Sequence, residues 1–206
     1  LANADVVVLA VKPQQMREVD LMARVTRMLH GDDPVNPLRG WLAERTPNPA
    51  QSRLIAERLG SAAPTLAVFI RTTGQDNAAL ATTLQSLAEL LPPYAPSSIT
   101  VLGGPEPAAQ EKLPQLRWVA AQTLDAISPL AQEEDYGWIL VVDAGDCFTP
   151  SGLLMVALEL LDAPQCRAVY ADALVRTDAD EPAPLFRPDF NLDMLLSCPA
   201  NMARHW

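Results

Sequence analysis

Trp138-Ile139-Leu140-Val141-Val142-Asp143-Ala144-Gly145-Asp146-Cys147-Phe148-Thr149-Pro150 runs from an apolar strand into a loop with two aspartates and then into a proline-started helix. A short, unbroken apolar run bounded by turn residues reads as a strand buried on both faces. Such strands belong to parallel sheets, and open parallel sheets place their ligands outside the carboxyl ends of the strands. The stretch therefore predicts an α/β fold with candidate ligand-facing carboxylates at Asp143 and Asp146.

The flanking sequence repeats the pattern. Residues 65–70 read as a second buried strand, residues 71–77 as a polar loop, and 78–91 as a helix whose Leu80, Leu84, Leu87 and Leu91 fall on one face before Pro92-Pro93. Ser98–Leu102 reads as a strand closed by Gly103-Gly104-Pro105, 116–120 as another, 124–132 as a helix, 151–161 as a helix and 168–174 as a fifth strand. Strands alternating with helices predict a mostly parallel sheet covered on both faces. The proline-rich segment 182–188 reads as a tail leading to a short helix near 192–196.

Before this region the pattern differs. Residues 5–11 read as a strand broken at Lys12-Pro13, and helices are expected over 20–30, 38–45 and 50–59, the last stopping at Gly60. Two regions are thus expected: a strand and helical lead-in over 1–63, and the α/β domain over 64–206.

Composition excludes several functions. The chain has 206 residues, 49% of them hydrophobic, enough for a sizeable core. No apolar run is long enough to cross a bilayer, which leaves peripheral membrane association open. The net charge of −10, with Lys12 and Lys112 as the only lysines, argues against nucleic acid as a partner. Three widely spaced cysteines, Cys147, Cys166 and Cys198, fit neither a disulfide framework nor a zinc site and suggest a cytoplasmic setting.

Longer motifs point to a family. Pro64-Thr65-Leu66-Ala67-Val68-Phe69-Ile70-Arg71-Thr72, the loop ending at Pro150, Val169-Tyr170-Ala171-Asp172, and Phe186-Arg187-Pro188-Asp189-Phe190-Asn191-Leu192-Asp193-Met194-Leu195-Leu196-Ser197 follow one another in order. Together with Trp41 they make residues 38–206 resemble family 2 glycosyltransferases of the GT-A fold, the type that assembles bacterial surface polysaccharide and flagellin glycans. The last segment is similar to that family's Phe-Lys-Pro-Asp-Trp-Asn-Pro-Asp-Leu-Leu-Leu-Ser.

The resemblance implies a Rossmann-like half that binds a nucleotide-diphosphate sugar, with a glycan or protein as acceptor. It implies nucleotide-sugar contacts at Arg71, Thr72, Gly103, Asp143 and Asp172, and a divalent cation, Mn²⁺ or Mg²⁺, at Asp143 and Asp146. Two departures accompany it. Gly103-Gly104 stand where the family has an aspartate against the base, and Gly145 stands where the metal motif has its middle aspartate. The family's acceptor-side general base is expected beyond Trp206, so only the donor half of a site is expected here. A catalytically degenerate domain acting as a binding or assembly module is the alternative. Separately, residues 4–16 resemble one strand and turn of pyrroline-5-carboxylate reductases, but no G-x-G-x-x-G occurs, so either a chance likeness or a local helper strand is expected rather than a reductase domain.

Read from spacing alone, Asp143 and Asp146 are equally compatible with turn formation, with Asp146 or Thr149 capping the next helix. Arg71 suits a phosphate, though a solvent-facing role is open. Gly-Gly-Pro can serve as a turn only. His30 and His205 have no neighbours in sequence that make a triad or metal site, and Cys147 reads as a packing residue rather than a nucleophile.

Overall fold

The computed structural model describes residues 6–10, 45–72, 77–107, 112–121, 123–134, 136–176, 182–187 and 192–197. The helices expected over 20–30 and 38–45, with Trp41, His30, Cys198 and His205, lie outside the described residues, save for Arg45 at the end of the second helix.

The chain forms an α/β, Rossmann-like fold around a four-stranded, all-parallel sheet. Strand β1 is Val6–Ala10 and helix α1 is Pro49–Leu59. They are followed by β2 (Leu66–Arg71), α2 (Asn77–Ala88), β3 (Ser98–Leu102), β4 (Leu116–Val119), α3 (Ile127–Glu134) and β5 (Trp138–Asp143). The remainder is β6 (Cys147–Phe148), α4 (Gly152–Asp162), β7 (Asp172–Arg176), β8 (Pro182–Leu185) and α5 (Leu192–Ser197). The main sheet has the order β4-β3-β2-β5, with every neighbouring pair parallel. The chain therefore enters at β2, builds outward through β3 and β4, and then crosses back to place β5 on the other side of β2.

Alternation along β2 explains its uniformly apolar sequence. Leu66, Val68 and Ile70 join Ile99, Val101, Leu140 and Val142 on one face, under Leu80, Leu84 and Leu87 of α2 and Leu153, Leu154 and Ala157 of α4. Ala67 and Phe69 point the other way, toward Ile127 and Leu130 of α3. Each fully buried aliphatic side chain of this kind stabilises the fold by about 1.5–3 kcal/mol.

The lead-in shares that core. Helix α1 starts in a capping box, in which Asn48 Oδ1 accepts from the Ala50 and Gln51 amides and Gln51 Oε1 accepts from the Asn48 amide. Pro49 occupies its first turn, and it ends at Gly60 as expected, with Leu59 buried in the main cluster. At the surface, the exposed Arg58 and Asp162 pair across α1 and α4, a contact of about 0–1 kcal/mol.

Two expectations are corrected. The fifth strand is not a parallel member of the main sheet. It begins at Asp172, runs antiparallel to β1, and belongs to a second sheet of order β6-β1-β7-β8. Burial alternates along it, with Ala171 and Ala173 buried and Asp172 and Leu174 partly exposed, the mark of a strand covered on one face only. The proline-rich tail is also partly strand, since Pro182–Leu185 pairs antiparallel with β7. Its two prolines alternate and so fall on one side of an edge strand, where a missing N–H is tolerated. The N-terminal strand is seated between β7 and the two-residue β6.

The link from α2 to β3 is pinned by Tyr94, whose buried ring sends its hydroxyl to the Pro64 carbonyl at 2.6 Å. Burial pushes this phenol up to about 12, against about 10 when unfolded. The folded state thus holds a proton that the unfolded state releases. The resulting stability is complete below about pH 10 and is lost as pH rises through about 12. Tyr94→Phe is expected to cost about 1 kcal/mol at neutral pH through the lost hydrogen bond and to flatten the alkaline decline. Urea unfolding at neutral and alkaline pH measures both, and an unchanged alkaline slope in the variant contradicts the assignment.

Candidate functional site

Strands β2 and β5 pair in register along their whole length, from Leu66 opposite Trp138 to Arg71 opposite Asp143. Each ends in its one charged residue, so a cation and an anion emerge side by side at the carboxyl edge. Arg71 Nε donates to Asp143 Oδ1 at 2.6 Å and Arg71 Nη2 to Asp143 Oδ2 at 2.9 Å, a two-pronged fork. The two side chains are 40% and 36% exposed, so the pair faces solvent and contributes at most about 1 kcal/mol. The hydrogen bonding to Asp143 raises the Arg71 guanidinium above its ordinary range; burial opposes this, and the charges of Asp143 and Asp146 reinforce it. The fork sits where the strand order reverses, the ligand-binding crevice of open α/β sheets.

The loop that follows is a closed turn. The Asp146 amide donates to the Asp143 carbonyl at 3.0 Å. In return, Asp146 Oδ2 accepts from the Asp143 amide at 2.8 Å. Gly145, at the third position, has φ +105°, a conformation open to glycine and strained for other residues. Asp146 is 2% exposed, so it is a turn-forming carboxylate directed into the protein. The cap of α4 is Ser151, which makes no side-chain cap bond.

Helix α2 braces this turn from below. Thr83 Oγ1 accepts from the Gly145 amide at 2.8 Å, and Ser86 Oγ accepts from the Phe148 amide at 3.0 Å while donating to the Thr83 carbonyl. Both hydroxyls are buried. They escape a reading based on apolar periodicity, yet the signal is present: two hydroxyls three residues apart interrupt the stripe formed by Leu80, Leu84 and Leu87.

On the other flank, Thr72 is buried, and its Oγ1 donates to the Leu102 carbonyl at 2.9 Å, tying β2 to β3 rather than facing a ligand. Gly103 and Gly104 both have positive φ, 73° and 64°. The Gly103 carbonyl accepts from Trp118 Nε1 at 3.1 Å. This lip lacks side chains and lets a ligand approach backbone closely. Arg71, Thr72, Gly103 and Asp143 thus share one edge. Asp172 starts β7 in the second sheet, separated from β6 by β1, and its Oδ1 accepts from the Arg187 amide at 2.7 Å. Cys147 lies in β6, with its thiol against the Gly145 carbonyl.

A divalent cation needs several oxygens. In this arrangement both Asp143 oxygens accept from Arg71 and Asp146 is buried with one oxygen on the Asp143 amide, so a cation between the two carboxylates would have to share or displace these contacts. Among the described residues, no group of three or more His, Cys, Asp and Glu side chains is placed to hold a metal, and no helix is long and apolar enough to cross a membrane. A cleft of about 430 Å³ opens at the opposite, amino end of the strands, lined by Thr65, Ser98, Arg117 and Tyr136 among others. There Arg117 donates to Ser98 Oγ, bridging β4 to β3. No protein-family model matches the chain, and a search of curated proteins finds no significant match.

Substitution tests the turn directly. Gly145→Asp is expected to destabilise the fold by about 1–2 kcal/mol through backbone strain. Thr83→Val, which leaves the Gly145 amide without its acceptor, is expected to cost about 1–3 kcal/mol. Denaturant midpoints report both; a Gly145→Asp variant as stable as the parent contradicts the strained geometry.

Proposed function

We propose that the chain binds a nucleotide-diphosphate sugar at the Arg71–Asp143 edge and forms the donor half of a glycosyltransferase acting on a glycan or protein acceptor. The observation that carries this reading is the strand order. Reversal between β2 and β5 brings Arg71 and Asp143 together at the crevice where such sheets take phosphorylated ligands. The motifs from Pro64 to Ser197 that resemble family 2 glycosyltransferases agree with it. So does the side-chain-free Gly103-Gly104 lip beside the crevice. A cytoplasmic setting belongs to the same proposal.

In this reaction the acceptor hydroxyl oxygen bonds to the anomeric carbon and loses its proton to a base. The bond from that carbon to the diphosphate breaks, and its electron pair leaves on the phosphate oxygen. Arg71 is the residue on this edge suited to stabilise that developing charge, because a pre-positioned cation acts most where charge appears. Asp172, at the start of β7, is the carboxylate proposed to face the sugar.

One observation favours the alternative, a module that binds without turnover. Asp143 and Arg71 neutralise each other, and the φ of Gly145 reserves for glycine the position where the metal motif has a carboxylate.

Calorimetry with a panel of nucleoside diphosphate sugars decides between them. At least one member is expected to bind, with affinity falling about tenfold or more in Arg71→Ala, as expected on losing a hydrogen-bonded charge. Binding accompanied by release of the nucleoside diphosphate supports the transferase reading, and binding with the sugar nucleotide left intact selects the module. No binding to any member overturns both.

A further inference from the structure

Among the described residues, the side-chain partner of Arg71 is Asp143, which takes one edge of the guanidinium. A guanidinium carries five N–H groups in a planar fork. Asp143 accepts from Nε and from one N–H of Nη2, so the two N–H groups of Nη1 and the second of Nη2 project from the opposite side. The side chain is 40% exposed, and the strand that carries it ends at the crevice. Asp143 therefore does not occupy the arginine completely. It fixes the plane of the guanidinium and aims its remaining edge. Planar, charge-assisted pairing of that kind suits phosphate oxygens, and a group already immobilised loses little rotamer freedom on binding.

Building on the nucleotide-sugar reading, we infer that the ligand's diphosphate is held without a divalent cation, by the outer edge of Arg71, with Asp143 as a positioning residue rather than a metal ligand. Two features carry the inference. Both Asp143 oxygens already accept from Arg71, so a cation at this carboxylate would have to compete with the guanidinium for it. The second carboxylate of the loop, Asp146, is turned inward and accepts from the Asp143 amide, an interaction that survives replacement of the Asp143 side chain.

The charges make a signed prediction. Asp143 holds Arg71 in place but also repels an incoming diphosphate. Asp143→Asn keeps one oxygen acceptor for the guanidinium and removes the negative charge, so it tightens diphosphate binding. As a metal ligand, the same substitution would abolish it.

The test is calorimetric titration of the unmodified chain with inorganic pyrophosphate and with nucleoside diphosphates, in EDTA and then in Mn²⁺. The expected result is binding of equal affinity, within about twofold, in both conditions. Asp143→Asn is expected to tighten binding about threefold, the effect of one nearby charge in a water-like dielectric. Arg71→Lys, which keeps the charge but loses the planar fork, is expected to weaken it about tenfold. Binding of nucleoside diphosphate over pyrophosphate assigns additional contacts to the nucleoside and supports the inference equally. Binding seen only with Mn²⁺, or abolished by Asp143→Asn, overturns the inference and leaves the nucleotide-sugar reading standing. Absence of binding in both conditions overturns the two together.

Discussion

The register between β2 and β5 is the constraint on which the rest of the molecule depends. Because side chains alternate along a strand, a slip of one residue would turn Leu66, Val68 and Ile70 from the α2 and α4 face to the α3 face. It would also part Arg71 from Asp143. Core and candidate site are therefore specified by one pairing: the apolar residues fix how the strands align, and the alignment fixes which charged residues meet at the end. The ion pair contributes little to stability beside the aliphatic burial along the same strands. Its importance lies in geometry, since the relation between the two side chains is set by twelve strand residues paired in register.

Helix α2 extends the same coupling into the loop. Its leucines cover the face of the sheet, and between them Thr83 and Ser86 hold the amides of Gly145 and Phe148. The turn after β5 is thus anchored to a helix rather than left to solvent. Continuing from that anchor, Cys147-Phe148 pairs with β1, so the N-terminal strand is attached to the main domain through the site loop. Order in the second sheet, where Asp172 lies, is connected to order at Asp143 through only a few residues.

The main sheet was legible because its strands are buried on both faces, and nothing but a continuous apolar run satisfies that environment. β2, β3 and β5 declare themselves in this way. In the second sheet β1 and the start of β7 were legible as strands, but their pairing was not, because β7 runs antiparallel to β1, a non-local property; β8 contains two prolines, which periodicity assigns to a connection. Site residues divide along a similar line. Position in the chain points to Arg71, Gly103 and Asp143 at strand ends. That Arg71 and Asp143 bind each other depends on sheet order, a non-local property that spacing does not encode. Asp143 and Asp146 look alike as neighbouring loop acids, yet one faces solvent and the other closes the turn, a difference created by the positive φ of the glycine between them.

That glycine also links the two loop carboxylates to the fork at the strand ends. A turn with φ +105° at its third position lets the backbone reverse tightly enough for the Asp146 carboxylate to reach the Asp143 amide. A carboxylate at position 145 would disfavour that conformation and with it the inward placement of Asp146. Among the described residues, the cation paired with Asp143 is Arg71, supplied by the neighbouring strand. The glycine at 145, the burial of Asp146 and the fork between Asp143 and Arg71 therefore belong to one backbone choice. Its effect is to leave an aimed guanidinium at the crevice in place of a cluster of carboxylates.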